Sequence, residues 1–187
     1  RCGLRRARMR RYISEAIHAR LLCMDTADFT IRSLEPRDRD WVLGTVRYWG
    51  DTDYIVSRGR VVYAAELPGF CAVAPNGRPL GLATYEITGD ECQLATIHAF
   101  ERFSGIGTAL LAAVRDAAAD AGCRRLWLVT TNDNLDALRF YQRRDLELVA
   151  VHRGFREVAQ RLKPSIPLIG EYGIPLRDEI ELEILLD

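Results

Sequence analysis

None of the 187 residues lies in an apolar run of membrane-spanning length, so the sequence excludes a helical membrane span. Cysteine is sparse and odd in number: Cys2, Cys23, Cys71, Cys92 and Cys123 show no CxxC spacing, and the three histidines form no ligand pair. That pattern argues against a disulfide framework and against a bound metal, and a reducing cytoplasm is the expected compartment. Cys71 and Cys92 fall inside strand patterns, where a small buried hydrophobe is the expected role. Net charge is also lacking, with 26 basic and 26 acidic residues. The balance hides an asymmetry, because residues 1–23 hold seven arginines and one acid, Glu15, leaving 19 basic against 25 acidic residues. A mildly acidic body argues against nucleic acid as a partner.

The informative stretch runs from Glu91 to Thr108. Leu94, Thr96 and Ile97 suit a half-buried strand. Gly105 and Gly107 close a short loop, and Ala109 to Ala121 is a strong helix former with Gly122 as its stop signal. Strand, glycine loop and helix start gather main-chain N–H groups that lack partners at the positive pole of the helix dipole. A phosphate belongs there. No Gly-Lys-Ser/Thr follows, which excludes a nucleoside-triphosphate loop, and Leu110 stands where a dinucleotide fingerprint needs Gly or Ala. A nicotinamide-dependent oxidoreductase is therefore disfavoured. By itself a Gly-x-Gly turn is equally compatible with an ordinary strand-to-helix connection.

A second unit follows. Arg125 to Thr131 is an apolar strand, and Asn132-Asp-Asn134 caps a helix from Leu135 to Arg144 that carries Phe140-Tyr141. Together, Arg102-x-x-Gly105-x-Gly107 and Asn134-x-x-Ala137-x-x-Phe140-Tyr141 resemble the GNAT family of N-acetyltransferases, over roughly residues 29 to 155. The resemblance implies an α/β (α+β) fold: a mixed, mostly antiparallel sheet flanked by helices, with a splayed parallel pair that admits acetyl-CoA. It implies that Ile97 bonds the pantetheine arm and that the main chain of Phe103, Ser104, Gly105, Ile106, Gly107 and Thr108, with Arg102, takes the diphosphate. It also implies that Asn134 meets the pantetheine amide. Family members commonly carry glycine where Phe103 stands, so a tighter or bent loop is expected. A Gly-Phe pair usually follows the Tyr141 helix; here Asp145-Leu146 replaces it, and aspartate tolerates the left-handed turn at about 1 kcal/mol.

By the same resemblance the activity is acetyl or short-acyl transfer from acetyl-CoA to a primary amine of a small molecule or peptide, by direct attack in a ternary complex. No cysteine is placed to carry the acyl group. Tyr141 is the implied acid for the leaving thiolate. Glu91 is the implied base, with Glu86, His98 and ordered water as rivals, since a glutamate in an apolar cleft is raised toward useful values. No metal, nucleic acid or membrane is expected, and a homodimer stays open. A non-catalytic acyl-CoA sensor is the alternative reading.

The remainder of the chain fills in around these units. The basic stretch 1–23 reads as an extension, either a helix packed on the domain or sequence upstream of a start at Met24. Its Arg-rich amphipathic pattern also fits a targeting peptide or membrane-surface helix. Residues 24–187 read as one domain. Phe29 to Leu34 predicts a strand, and Glu35-Pro36 starts a helix through about Tyr48 that Gly50 closes. Tyr54-Ile-Val suggests a further strand; Arg58, Arg60, Tyr63 and Glu66 fall on a loop or short helix. Asn76-Gly77 predicts a hairpin between strands 70–74 and 80–87. Residues 146–151 predict a strand and Glu157–Leu162 a helix. Asp178 to Leu186 alternates as a last strand, expected to pair beyond strand 146–151. Ser165, Glu171 and Tyr172 in the loop before it are candidate acceptor contacts.

Overall fold

The structure is a computed structural model that describes residues 28–101 and 104–186. The expectations for residues 1–23 therefore lie outside the described residues, as do those for Arg102 and Phe103. Among the described residues there are nine strands and four α-helices: β1 Thr30–Ser33, α1 Arg39–Gly50, β2 Ile55–Ser57, β3 Arg60–Val62, β4 Gly69–Val73, β5 Pro79–Thr88 and β6 Glu91–Ala99, then α2 Ile106–Asp120, β7 Arg125–Thr131, α3 Leu135–Gln142, β8 Glu147–His152, α4 Phe155–Leu162 and β9 Glu179–Leu185. Seven strands form one sheet in the order β1-β4-β5-β6-β7-β9-β8, and β2-β3 form a separate hairpin. Every pairing in the large sheet is antiparallel except β6 with β7.

The parallel pair barely pairs. Its register covers Glu91↔Arg125, Cys92↔Leu126 and Gln93↔Trp127 and then ends. The cause lies on the other edge of β6, where Thr84 opposes Thr96 but Tyr85 opposes Leu94. Ala95 is thus the extra residue of a β-bulge, which bends a strand and increases its local twist. From Leu94 onward β6 leans away from β7, and a wedge opens toward the carboxyl ends of both strands.

Each face of the sheet has its own cover. On one face, α2 lays Ile106, Leu110, Leu111, Val114 and Ala118 against Leu80, Ala83, Leu94, Leu126, Leu128 and Leu182. These apolar positions recur three to four residues apart, which is why this segment is a helix with a buried stripe. On the opposite face, Val42 and Val46 of α1 and Ala64 pack on Leu82.

The Asn76-Gly77 turn forms as its residues require. Gly77 has φ 82°, and Asn76 Oδ1 accepts the Arg78 N–H at 3.0 Å. Asp145 takes the left-handed conformation, φ 64°. Three expectations need correction. The first helix begins as a 3-10 turn, Pro36–Asp38, in which Arg32 holds the Asp38 carboxyl down to about 2. It is Asp51, φ 57°, rather than Gly50 that turns left-handed at its end. The segment around Arg58 is the β2-β3 hairpin: Arg58 and Gly59 both have positive φ, the two-residue turn that matches strand twist, so Arg60 lies on a strand rather than on a loop or short helix, while Arg58 in the turn and Glu66 on a 3-10 turn lie as expected. Arg-Gly is a weak turn signal because arginine pays for a left-handed φ. Finally, β9 does not pair beyond β8 but inserts between β7 and β8. Its Glu179, Glu181 and Leu182 are buried, whereas β8 is largely exposed and suits an edge.

Candidate active site

The half of the wedge beside α2 is built from main chain. Gly105 has φ 82° as the residue before the helix, a conformation that penalises a side chain. The first bond of the helix runs from Ala109 N–H to Gly105 O at 3.0 Å, so the N–H groups of Ile106, Gly107 and Thr108 precede it. Ile106 is fully buried and anchors this first turn in the core. Gly107 has a different reason to be glycine: a Cβ there would stand 3.2 Å from the Phe140 ring, so α3 approaches α2 closely. Ser104 Oγ donates to Glu101 O at 2.8 Å. Ile97 is half-buried against the main core.

Sequence reading missed Arg144. Its Nε and Nη2 donate to Thr108 Oγ1 at 3.0 and 2.5 Å, and its Nη1 donates to Phe140 O at 2.7 Å. The guanidinium stacks 3.7 Å from the centre of the Phe140 ring. A cation is thus fixed at the first turn of α2, where the helix dipole already favours an anion. The usable signal was arginine four residues after Phe140, one helical turn along the same face.

Asn134 accepts the Ala137 N–H at 3.0 Å and so caps α3. Tyr141, on the same helix, is 7% exposed and belongs to the main core; burial pushes its phenol above the ordinary tyrosine value.

The other half is built from charged side chains. Along β9 the alternation sends Ile180, Leu182 and Ile184 toward the core and Glu179, Glu181 and Glu183 to the opposite face. There the β2-β3 hairpin covers them. Arg58 Nη1 pairs with Glu181 at 3.2 Å, and the Arg58 main-chain N–H is shared by both oxygens of Glu179 at 3.0 and 3.4 Å. Arg125 bonds Glu91 at 2.9 Å, Glu181 at 3.3 Å and Glu183 at 2.5 Å. His152 Nε2 lies 2.7 Å from Glu181. The Arg58 and Arg125 guanidiniums lie 5.6 and 5.4 Å from the Trp127 ring centre. Nearer β5, Arg60 bridges Glu86 at 3.0 Å and Gln93 Oε1 at 3.2 Å, while Gln93 Nε2 donates to the buried Ser57 at 2.7 Å. Among the described residues, no group of three or more His, Cys, Asp and Glu is arranged to hold a metal ion.

Glu91 therefore sits at the closed end of the wedge, its carboxylate bonded to Arg125. His98 lies toward the open end, stacked under Trp49 with ring centres 5.7 Å apart, and burial pushes its imidazole down to about 4. A cleft of about 360 Å³ adjoins it, lined by Trp41, Gly44, Thr45, Tyr48, Trp49 and Phe100. The loop before β9 is tied to the end of β7. Asn132 Oδ1 accepts the Arg177 and Asp178 N–H groups, and Asp133 Oδ2 accepts that of Glu171. Glu171 and Tyr172 stand in a short 3-10 turn of that loop, and Ser165 is exposed.

An anion-binding helix start beside a wedge at the carboxyl ends of two parallel strands suits a ligand that combines a diphosphate with a narrow polar arm. The model of the acetyltransferase (GNAT) family matches residues 30–146. Bacillus subtilis (strain 168) YdhI, an uncharacterized protein, is 41% identical over 141 residues, which cover 75% of this chain and 88% of YdhI. The chain belongs to the GNAT acetyltransferase family.

Solved structures agree on the fold. An IAA acetyltransferase from Bacillus cereus superposes with a TM-score of 0.67 at 20% identity, covering 85% of this chain and all of the other. A GNAT acetyltransferase from Elizabethkingia anophelis with acetyl-CoA bound gives 0.62 at 22% identity, covering 87% and 100%.

Proposed function

We propose that this protein is an N-acetyltransferase that moves an acetyl or short acyl group from acetyl-CoA to a primary amine of a small molecule or peptide, by direct attack in a ternary complex. One observation carries the reading: the β6-β7 ladder stops after Gln93-Trp127, and the wedge it leaves opens at the glycine loop that starts α2.

The residues present fit acetyl-CoA. The N–H groups of Ser104 to Thr108 and the Arg144 guanidinium meet the diphosphate, and the β6 main chain near Ile97, freed from β7, meets the pantetheine arm. When bound, the thioester supplies an activated acyl carbon. The chain then has to hold the amine beside it, keep water out and manage two protons.

Tyr141 holds one of them. Its burial keeps the phenol protonated around neutral pH, so its Oη is available to the departing sulfur. A free phenol near 10 giving its proton to a free thiolate near 8.5 is uphill by roughly 1.5 pKa units. In a dry site the thiolate loses hydration as well, and a hydrogen bond from Tyr141 to the developing charge offsets the difference. Glu91, the base that the family resemblance implies, has its Oε2 bonded to Arg125.

The described cysteines, Cys71, Cys92 and Cys123, are free and buried, in keeping with a reducing cytoplasm. Titration calorimetry with acetyl-CoA, followed by thiol-release assays with a panel of primary amines, tests the reading. Micromolar affinity with amine-dependent release is the expected result. Affinity without release would leave the sensor reading, and no affinity would remove both.

A further inference from the structure

Five carboxylates face the acceptor side of the wedge, and four already have a cation. Glu86 has Arg60; Glu91 and Glu183 have Arg125; Glu181 has Arg58 and Arg125, with the His152 ring nitrogen 2.7 Å away. Glu179 differs. It is 3% exposed, has no ion pair among the described residues, and accepts one main-chain N–H, that of Arg58. A carboxylate has about four lone-pair sites, so most of its accepting capacity is unspent. A buried charge left in that state is costly unless a donor arrives.

Its position is equally specific. Glu179 is opposite Thr131 on β7 and opposite His152 on β8, so it stands one strand, about 4.8 Å, from the β7 rim of the wedge. It is also at the open end, whereas Glu91 is at the closed end. The hairpin turn above it is exposed, and the loop 170–178 beside it is tethered to Asn132 and Asp133. Among β9 carboxylates, it is the one placed nearest the open end of the wedge, opposite the last residue of β7.

Building on the acetyltransferase reading above, we propose that Glu179 binds the ammonium group of the acceptor and takes its proton, directly or through one water, so that the acceptor is a cationic amine. The N–H bond breaks toward the carboxylate and the freed lone pair forms the bond to the acyl carbon as the carbon–sulfur bond breaks; the thiolate leaves with the Tyr141 proton, the second proton shed by the nitrogen restores Tyr141, and the first rests on Glu179 until bulk water removes it. The titratable and charged groups around Glu179 are Arg58 from the hairpin, Glu181 on its own strand and His152 opposite it on β8. Burial, set against the Arg58 N–H and guanidinium and reinforced by Glu181, pushes the carboxyl up to about 7. That is the range in which a base works best at neutral pH. A purely structural role is the competing account, since Glu179 also fastens the left-handed Arg58.

Glu179→Gln separates the two, because the amide oxygen can still accept the Arg58 N–H. Thiol release from acetyl-CoA would be followed between pH 5.5 and 9 with spermidine, an aminoglycoside and a peptide N-terminus as acceptors. The expected result is a wild-type rate that falls below about pH 7, and a variant at least tenfold slower at pH 8 that lacks this limb, with unchanged acetyl-CoA affinity. If the variant keeps the same limb and rate, the Glu179 assignment is overturned while the acetyltransferase reading stands. If the wild type releases no thiol with any of these amines, the reading beneath it falls too. Should the variant fold poorly, carboxyl-labelled glutamate NMR of the wild type decides: titration near 7 that moves when spermidine is added supports the proposal, and titration below 5 ends it.

Discussion

The two walls of the wedge are made of different materials. The wall that faces acetyl-CoA in the proposed reading is a backbone structure: Gly105 for a left-handed φ, Gly107 for a close approach to Phe140, and the N–H groups at the head of α2. The acceptor wall is a charge network in which Arg58, Arg60 and Arg125 hold five glutamates from three strands. Backbone donors are cheap to preorganise and indifferent to what else binds. Ion pairs partly covered by a hairpin are specific, and those that share a partner depend on one another.

The sharpest way to break that comparison is Arg125→Ala. It leaves Glu91, Glu181 and Glu183 without their shared partner; a fully buried pair would cost about 3–5 kcal/mol, and this part-exposed network is expected to cost about 2 kcal/mol. For a chain of this length that is roughly 4–8 °C in Tm, read by calorimetry. A change of under 2 °C would show that the acceptor wall is not held by charge.

Tyr141→Phe tests the chemistry rather than the architecture. Turnover should fall at least tenfold, about 1.4 kcal/mol in the barrier, with acetyl-CoA affinity nearly unchanged. Unaltered turnover would remove the phenol from the proton transfer. Arg144→Ala addresses the cationic side chain that, among the described residues, stands at the head of α2. Losing a single charge-assisted contact to phosphate should weaken acetyl-CoA binding about five- to tenfold, with little effect on Tm.

The smallest effects concern pH, and Glu179 and His98 contribute opposite signs. Glu179 binds its proton more tightly folded than unfolded, so its contribution to stability is full below about 4.5 and declines as pH rises through about 7. His98 holds its proton less tightly when folded. Its contribution is full above 6.5 and is lost as pH falls toward about 4. Melting curves should therefore show Glu179→Gln gaining a few degrees on the wild type at pH 8 and nothing at pH 4.5. The variant His98→Phe should gain at pH 5 rather than at pH 8.

How much of each wall could be read in advance follows from its material. The glycine loop, the helix after it, the Asn134 cap and the Asn76-Gly77 turn depend on residues within a few positions of one another. Propensity and φ requirements act at that range. The β2-β3 hairpin was illegible because Arg58-Gly59 is a poor turn sequence, its left-handed arginine being held by Glu179 from 121 residues away. Arg144 stood one helical turn beyond Phe140 but acquires its role only where α3 meets α2.

The last strand shows the division most clearly. Alternation from Asp178 to Leu186 by itself established that this segment is a strand, and that its glutamates share one face. Periodicity says nothing of which neighbours a strand takes or of what covers its polar face. That Glu179 and Glu181 are buried rather than solvated was decided by the insertion of β9 between β7 and β8 and by a hairpin folding over them. The reason is physical: a strand's identity is a local matter of φ, ψ and side-chain alternation, whereas the ionisation of a carboxylate answers to every charge and every water that the rest of the chain brings near it.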